Sequence, residues 1–87
     1  MYLHLGQNIM VSKSAILGIF DLDNTTWSFR TRRFLDKAEG EGRVIPVGDD
    51  LPRSFVLVQE GGGSPVVYLC SPSPAALCVR AGRSGYE

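Results

Sequence analysis

Two carboxylates and a hydroxyl follow an apolar run in the first third of the chain. Asp21, Asp23 and Thr25 come directly after the segment Ala15 to Phe20. Carboxylate oxygens at the end of a strand can bind Mg²⁺, and an aspartate in that position can act as a nucleophile towards phosphate. This spacing is therefore the first place in the sequence that suggests catalytic chemistry.

The stretch Ile19-Phe20-Asp21-Leu22-Asp23-Asn24-Thr25 resembles the DxDxT signature of haloacid dehalogenase-like phosphatases. The resemblance implies that Asp21 is the nucleophile and Asp23 the general acid/base, and Gly48-Asp49-Asp50 could stand for the distal acidic motif. That fold is a doubly wound parallel sheet, and each parallel connection needs a dozen residues or more. Too few residues follow Thr25 to build it. We therefore expect a non-enzymatic protein in which these side chains cap a helix, and an Mg-dependent phosphatase remains the least favoured alternative.

Length and composition predict one small domain with few means of extra stabilisation. The chain has 87 residues, a net charge of zero and a single histidine, His4. Cys70 and Cys78 do not form a CxxC pair and lie among apolar neighbours, so we expect two buried free thiols in a reducing, cytoplasmic environment. We expect no metal, no other cofactor, no membrane segment and no small-molecule substrate. Domains of this size often gain stability from a second subunit, which makes a homo-oligomer attractive.

The hydrophobic pattern predicts an α+β domain with a small antiparallel β-sheet, one long helix and a short C-terminal helix. A single domain should cover residues 1–81, and a flexible tail should cover 82–87. A turn at Gly6-Gln7 should join the first two strands, and Pro46 should confine its strand to a sheet edge. The predicted strands are Tyr2–Leu5, Asn8–Val11, Ala15–Phe20, Arg43–Val47, Ser54–Gln59 and Pro65–Cys70, and the predicted helices are Thr26–Glu39 and Ala75–Ala81.

The apolar strands do not alternate with polar residues, as they would in a sheet with one face in water. One long helix and a short one should not cover both faces of such a sheet, so we expect the second face to be buried against another subunit. The alternative is that the terminal helix covers this face alone. The residues predicted at the subunit interface are Phe29, Phe55, Leu57, Val67 and Leu69.

Read over nearly its whole length, the chain resembles a family of small bacterial regulators. The matching segments are Met1-Tyr2-Leu3-His4-Leu5-Gly6, Val11-Ser12, Ile16-Leu17-Gly18-Ile19-Phe20-Asp21, Thr31-Arg32, Phe34-Leu35, Gly42-Arg43-Val44-Ile45, Leu51-Pro52-Arg53-Ser54 and Tyr68-Leu69-Cys70-Ser71-Pro72. These look like RemB-type members of the RemA/RemB family, which regulate extracellular-matrix (biofilm) genes. The resemblance implies a DNA-binding transcriptional regulator that assembles into a ring-like homo-oligomer.

One loop departs from that family. RemA proteins carry paired arginines before the strand that begins near Ser54, and this loop is implicated in DNA binding. The corresponding loop here reads Gly48-Asp49-Asp50-Leu51-Pro52-Arg53, so Arg53 alone retains the positive charge. The two aspartates would repel phosphate, and the resemblance carries over a DNA contact only to Arg53.

The long helix supplies a second basic surface. Arg30, Arg33 and Lys37 share one flank of it, and Arg32 lies on another. Lysine and arginine on one flank can neutralise DNA phosphates, although a solvated helix face would have the same pattern. Phe29 lies opposite the apolar stripe, where it suits a subunit interface or is simply an exposed aromatic residue. We expect double-stranded DNA and further copies of the chain as partners, and the alternative is a scaffold subunit that binds protein but no DNA.

Overall fold

The computed structural model describes residues 1–22 and 29–83. Within these ranges the chain forms six strands, two α-helices and one 3-10 turn at Lys13–Ala15. The strands are β1 (Tyr2–Gly6), β2 (Ile9–Ser12), β3 (Ile16–Asp21), β4 (Val44–Pro46), β5 (Ser54–Val58) and β6 (Val66–Cys70), and the helices are α1 (Phe29–Gly40) and α2 (Pro74–Arg83). The α+β class predicted from the sequence is confirmed.

The strands form two sheets. A four-stranded sheet has the order β3-β5-β6-β4, and β1 and β2 form a separate antiparallel hairpin. In the larger sheet β5 is antiparallel to both β3 and β6, with Phe20 opposite Phe55 and Phe55 opposite Leu69. The strand with Pro46 lies at an edge, as predicted.

The prediction of a fully antiparallel sheet is wrong for one pair, because β4 runs parallel to β6. The cause is the connection through α1. The pairings show that β3, β6 and β4 all point in the same direction. A helix between the two edge strands returns the chain to the end from which β3 began, so β4 must enter parallel to β3 and β6.

Both faces of the four-stranded sheet are covered within one copy of the chain. On one face, Phe34, Leu35 and Ala38 of α1 pack against a layer of sheet residues that includes Val44, Phe55, Leu57, Val67 and Leu69. On the other face, the hairpin and α2 pack against a second layer. This larger core comprises Leu3, Leu5, Val11, Val47, Val56, Val58, Cys70 and Leu77.

This arrangement overturns the expectation that a second subunit must cover the sheet. The β1–β2 hairpin, together with α2, buries the face that the sequence left unassigned. Strands buried on both sides read as continuous apolar runs for that reason. An oligomer would therefore have to form through the outer surface of the chain.

Several element boundaries differ from the prediction. The hairpin turn is formed by Gln7 and Asn8, both with positive φ (49° and 65°), rather than by Gly6-Gln7. A two-residue turn of this kind requires φ above zero at both positions. Helix α2 continues to Arg83, two residues into the predicted tail. The predicted start of the long helix at Thr26 and its predicted cap at Asn24 or Thr25 lie outside the described residues.

The start of α2 is anchored to the sheet. The Ala76 N–H donates a hydrogen bond to Ser73 Oγ at 3.2 Å, and Pro74 occupies the first helical position. These are standard N-terminal features of helices. The hydroxyl of Ser54, which is fully buried, donates to the Pro72 carbonyl at 2.7 Å. Arg80 donates to the His4 carbonyl at 3.1 Å, which links α2 to β1.

Neither α1 nor α2 has the length and apolar character that a membrane crossing by a helix would require, and the same holds for the rest of the described chain.

We predict that Leu77→Ala lowers the free energy of unfolding by about 2–5 kcal/mol, because the side chain is fully buried and its loss leaves a cavity between α2 and the sheet. Urea denaturation followed by circular dichroism measures this change. Val79→Ala, on the same helix but 56% exposed, is the matched control and should change stability by less than about 0.5 kcal/mol. Equal losses in the two variants would contradict the packing of α2.

Candidate nucleic-acid interface

Helix α1 separates an apolar face from a basic flank. Thr31, Phe34, Leu35 and Ala38 are half-buried or buried and face the sheet. On one flank Arg30, Arg33 and Lys37 are exposed and lie close together in angle around the helix axis, since residues three and four apart share a helix face. Arg32 is also exposed, but its position along the helix places it on the opposite flank. The flank predicted from the sequence is therefore present, with Arg32 apart from it.

Arg53 lies at the end of the four-stranded sheet, and its backbone is held on both sides. Its N–H donates to the Cys70 carbonyl at 2.8 Å, and its carbonyl accepts from the Leu22 N–H at 3.0 Å. These bonds connect β5 to the ends of β6 and β3. The side chain is exposed, so a fixed backbone presents a guanidinium group at this edge of the molecule.

The fold brings Arg30 and Arg53 to the same end of the β3–β5 pair. Arg30 lines a groove with Phe20 and Phe55, which are paired in the sheet one position from Asp21 and Ser54. Arg53 directly precedes Ser54. The sequence placed these two cations on separate elements, and their common location is a result of the tertiary structure.

The groove lies between α1 and the outer strand β3. It has a volume of about 210 Å³ and is lined by Phe20, Arg30, Thr31, Phe34, Phe55 and Leu57. We call this surface the apolar groove. The rings of Phe20 and Phe55 stack with centroids 4.7 Å apart and an interplanar angle of 18°. A Cβ atom on Gly18 would lie 2.7 Å from the Phe20 ring, so glycine at that position allows the ring to lie flat over the strand.

The predicted interface residues do not all reach the surface. Phe55 and Val67 are only 3% and 0% exposed and belong to the core beneath α1. The side chain of Val67 is therefore not available to a second subunit, whereas Phe55 reaches the surface only as part of the groove lining. Leu57 and Leu69 are half-buried against the same core. The prediction for Val67 conflicts with this burial because α1 covers the face on which it lies, whereas that for Phe55 stays a prediction. The side chain of Phe29 is outside the described part of the structure.

Other apolar side chains are exposed, and their exposure was not predicted from the sequence. Phe20 and Leu17 of β3 are 42% and 56% exposed, and Leu51 is 84% exposed. Leu17 is the extra residue where the β3–β5 register shifts between Ile16 and Gly18, and bulges of this kind turn a side chain outwards. The exposure of Leu51 could have been predicted only from its neighbours, since it lies between two aspartates and a proline.

The loop before β5 carries negative charge on its surface. Asp49, Asp50 and Leu51 are exposed, and we call these three residues the acidic tip. Among residues 1–22 and 29–83, no ion pair is formed by either aspartate. The loop is fixed at both ends, since the Val47 N–H donates to the Leu69 carbonyl at 2.9 Å and the Arg53 N–H donates to Cys70.

Arg43 is a basic residue with a structural role. Its guanidinium pairs with Glu41 at 2.6 Å, donates to the Pro65 carbonyl and lies 5.9 Å from the centre of the Phe34 ring. Its own carbonyl accepts from the Val67 N–H at 2.8 Å. Arg43 thus connects the end of α1 to the start of β6, and we do not include it in the basic surface.

Of the two aspartates in the phosphatase-like motif, only Asp21 lies in the described residues. It is the last residue of β3, is exposed and pairs with Ser54 across the sheet; Asp23 lies outside the described ranges. No group of three or more histidine, cysteine, aspartate or glutamate side chains suited to a metal ion occurs in the described part of the chain.

A scan against protein-family models finds no matching family, and a search among curated proteins finds no match.

The two cysteines differ in exposure, although both were predicted to be buried. Cys70 is buried in the core and Cys78 is exposed on α2. Burial raises the pKa of the Cys70 thiol to about 11, and the nearby Arg80 guanidinium opposes this increase in part. The thiolate is the reactive form of cysteine. The Cys70 thiol is buried and hard to deprotonate, so Cys78 is the cysteine that a reagent in solution can reach.

We predict that an aromatic disulfide reagent at pH 8 modifies one thiol per chain rapidly and the other only after unfolding in urea. The absorbance of the released thiolate measures both phases. Cys78→Ser should abolish the rapid phase, whereas Cys70→Ser should preserve it. Rapid modification of both thiols in the folded protein would contradict the buried position of Cys70.

Proposed function

We propose that this chain is a non-enzymatic, DNA-binding transcriptional regulator of the RemA/RemB type, which acts as a homo-oligomer in the cytoplasm and controls extracellular-matrix genes. The observation that carries the proposal is the exposed basic surface formed by Arg53 and the flank of α1 with Arg30, Arg33 and Lys37. The resemblance of the sequence to that family names the class of regulator. Arg53 is supported by both arguments, because it is exposed in the structure and lies in the loop that the resemblance associates with DNA binding.

The placement of these cations suits contact with phosphates. Arg53 extends from a fixed backbone at the end of the sheet, so little backbone entropy is lost when it binds. Arg33 and Lys37 extend along α1 from the same region. Contacts of this kind are electrostatic and independent of base sequence, and they release counterions from DNA. Arg32 projects from the other flank of α1 and would contact DNA only if the DNA backbone passes around the helix.

A neutral chain needs more than one copy for such binding. The net charge is zero, so a single copy has no general attraction for DNA. Several copies in one assembly would present the basic surface repeatedly, and the second and later contacts then form at high effective concentration. The proposal therefore joins DNA binding to assembly.

The acidic tip favours a second candidate function, a scaffold subunit that binds protein and no DNA. Asp49 and Asp50 are exposed within four residues of Arg53, and carboxylates at this distance weaken its attraction for phosphate. The presence of nucleic acid in the purified protein would argue against this candidate.

We predict that the chain binds duplex DNA with an affinity that falls steeply as salt concentration rises. Fluorescence anisotropy of a labelled duplex over a salt series measures the slope of log affinity against log salt. Arg53→Ala or Arg33→Ala should each reduce this slope by about 0.9 for every DNA phosphate that the altered chain no longer neutralises.

Lys13→Ala is the matched control, because it removes one positive charge at the end of the sheet opposite Arg53, just before β3 begins. It should leave the slope unchanged. An absence of binding at low salt would refute the DNA-binding function, and equal effects of the control and Arg53→Ala would refute the assigned surface.

A further inference from the structure

Two surfaces of this chain complement each other in chemistry. The acidic tip presents one leucine beside two carboxylates, and the apolar groove presents aromatic and aliphatic side chains beside one guanidinium. A side chain such as Leu51 requires an apolar pocket, and carboxylates beside it require a cation at the rim. The groove meets both requirements, since Arg30 lies at its border.

The acidic tip has the form of an anchored projection. Leu51 is the most exposed of the large apolar side chains in the described residues, at 84%. A single exposed leucine is ordinary on a protein surface. Here, however, the loop is held by backbone hydrogen bonds from Val47 and Arg53 to neighbouring carbonyls of β6. The leucine is therefore presented from a fixed base, and its docking would lose less entropy than that of a free loop.

The apolar groove has room for such a side chain. Its volume is about 210 Å³, and enclosed apolar cavities of about 150 Å³ already accept a benzene molecule. Phe20 forms one wall and remains 42% exposed. Covering this ring and the leucine together would remove apolar surface of both from water.

The acidic tip does not occupy the apolar groove of its own copy. The tip begins beside the hairpin, where a Cβ atom on Gly48 would lie 3.1 Å from Gln7 Cγ. The groove lies on the α1 side of the sheet, next to the outer strand β3. Leu51 is 84% exposed and is not among the residues that line the groove, so each copy offers one undocked tip and one open groove to a second copy.

We propose that Leu51 of one copy docks in the apolar groove of a second copy, with Asp49 and Asp50 paired to Arg30 at its rim. This inference deepens the proposed function and rests on its homo-oligomer. The contact is head-to-tail, so each copy offers its own tip and its own groove to further copies. Such contacts close into a ring when the rotation between neighbours allows it.

The proposed contact also concerns DNA binding. Pairing with Arg30 offsets one of the two negative charges that stand beside Arg53, and so weakens their repulsion of phosphate. In the assembly Arg30 would pair with the tip instead of DNA. Arg33, Lys37 and Arg53 lie outside the lining of the groove, so the docked tip leaves these three cations to contact DNA. In a single copy the acidic tip weakens DNA binding, whereas in the assembly it would hold neighbouring copies together and so help to present the basic surface.

Sedimentation velocity of the full chain tests this contact. At about 0.1 mM the unaltered chain should sediment as an oligomer, since an interface with a micromolar dissociation constant is almost saturated there. Leu51→Asp and Arg30→Glu should each raise the dissociation constant for self-association about 10-fold or more. Val79→Asp, an exposed apolar residue of α2, and Arg32→Glu, on the other flank of α1, are the matched controls and should preserve the oligomer.

A mixing experiment tests the head-to-tail geometry. Leu51→Asp lacks a functional tip but retains its groove, whereas Arg30→Glu lacks a functional groove but retains its tip. An equimolar mixture of these two variants should therefore form a dimer through its single intact contact and proceed no further. Circular dichroism of each variant shows that its fold is unchanged.

The inference is overturned if the unaltered chain is a monomer at about 0.1 mM, if Leu51→Asp assembles normally, or if the mixture fails to dimerise. DNA anisotropy on the same samples separates this result from the proposed function. Salt-sensitive DNA binding by a Leu51→Asp variant that still forms the oligomer would refute the contact and support the regulator. Binding of an acidic, leucine-bearing peptide from another protein to a chain that stays monomeric would likewise refute the second copy as the occupant.

Discussion

The rest of the structure depends on the burial of one sheet on both of its faces. Strands β5 and β6 provide side chains to two separate cores, Phe55 and Val67 to the one under α1, and Val56 and Cys70 to the one under the hairpin and α2. Burial of apolar surface is the main favourable term in folding. A chain of 87 residues has little of it to spare, so both faces must be used.

This constraint determines what remains for function. With both faces occupied, the surfaces left for partners are the edges and ends of the sheet and the outer flank of α1. The functional candidates lie there: Arg53 at the end of β5, the basic flank of the helix, and the apolar groove beside β3. A loop at the end of a sheet is also where side chains can change without loss of the core.

Charge and apolar surface are linked in this arrangement. The cation at the border of the apolar groove and the carboxylates of the acidic tip each lack an ion-pair partner within the described part of their own copy. Their pairing between copies would add modest energy in water, whereas the covered leucine and aromatic ring would supply most of the affinity. The charges would then mainly set the orientation of neighbouring copies.

The amino-acid sequence by itself determined the α+β class, the approximate bounds of nearly every element and the edge position of the strand with Pro46, because hydrophobic period, turn residues and proline geometry are local properties. It also predicted the basic flank of α1, since charge spacing on a helix is local too. Only the tertiary structure decided that β4 is parallel to β6, that the hairpin covers the second face, and that Phe55 and Val67 are core residues. It alone placed Arg30 beside Phe20 and left Leu51 exposed. These features depend on contacts between residues far apart in the chain, and the period of a single strand does not show which element will pack on it.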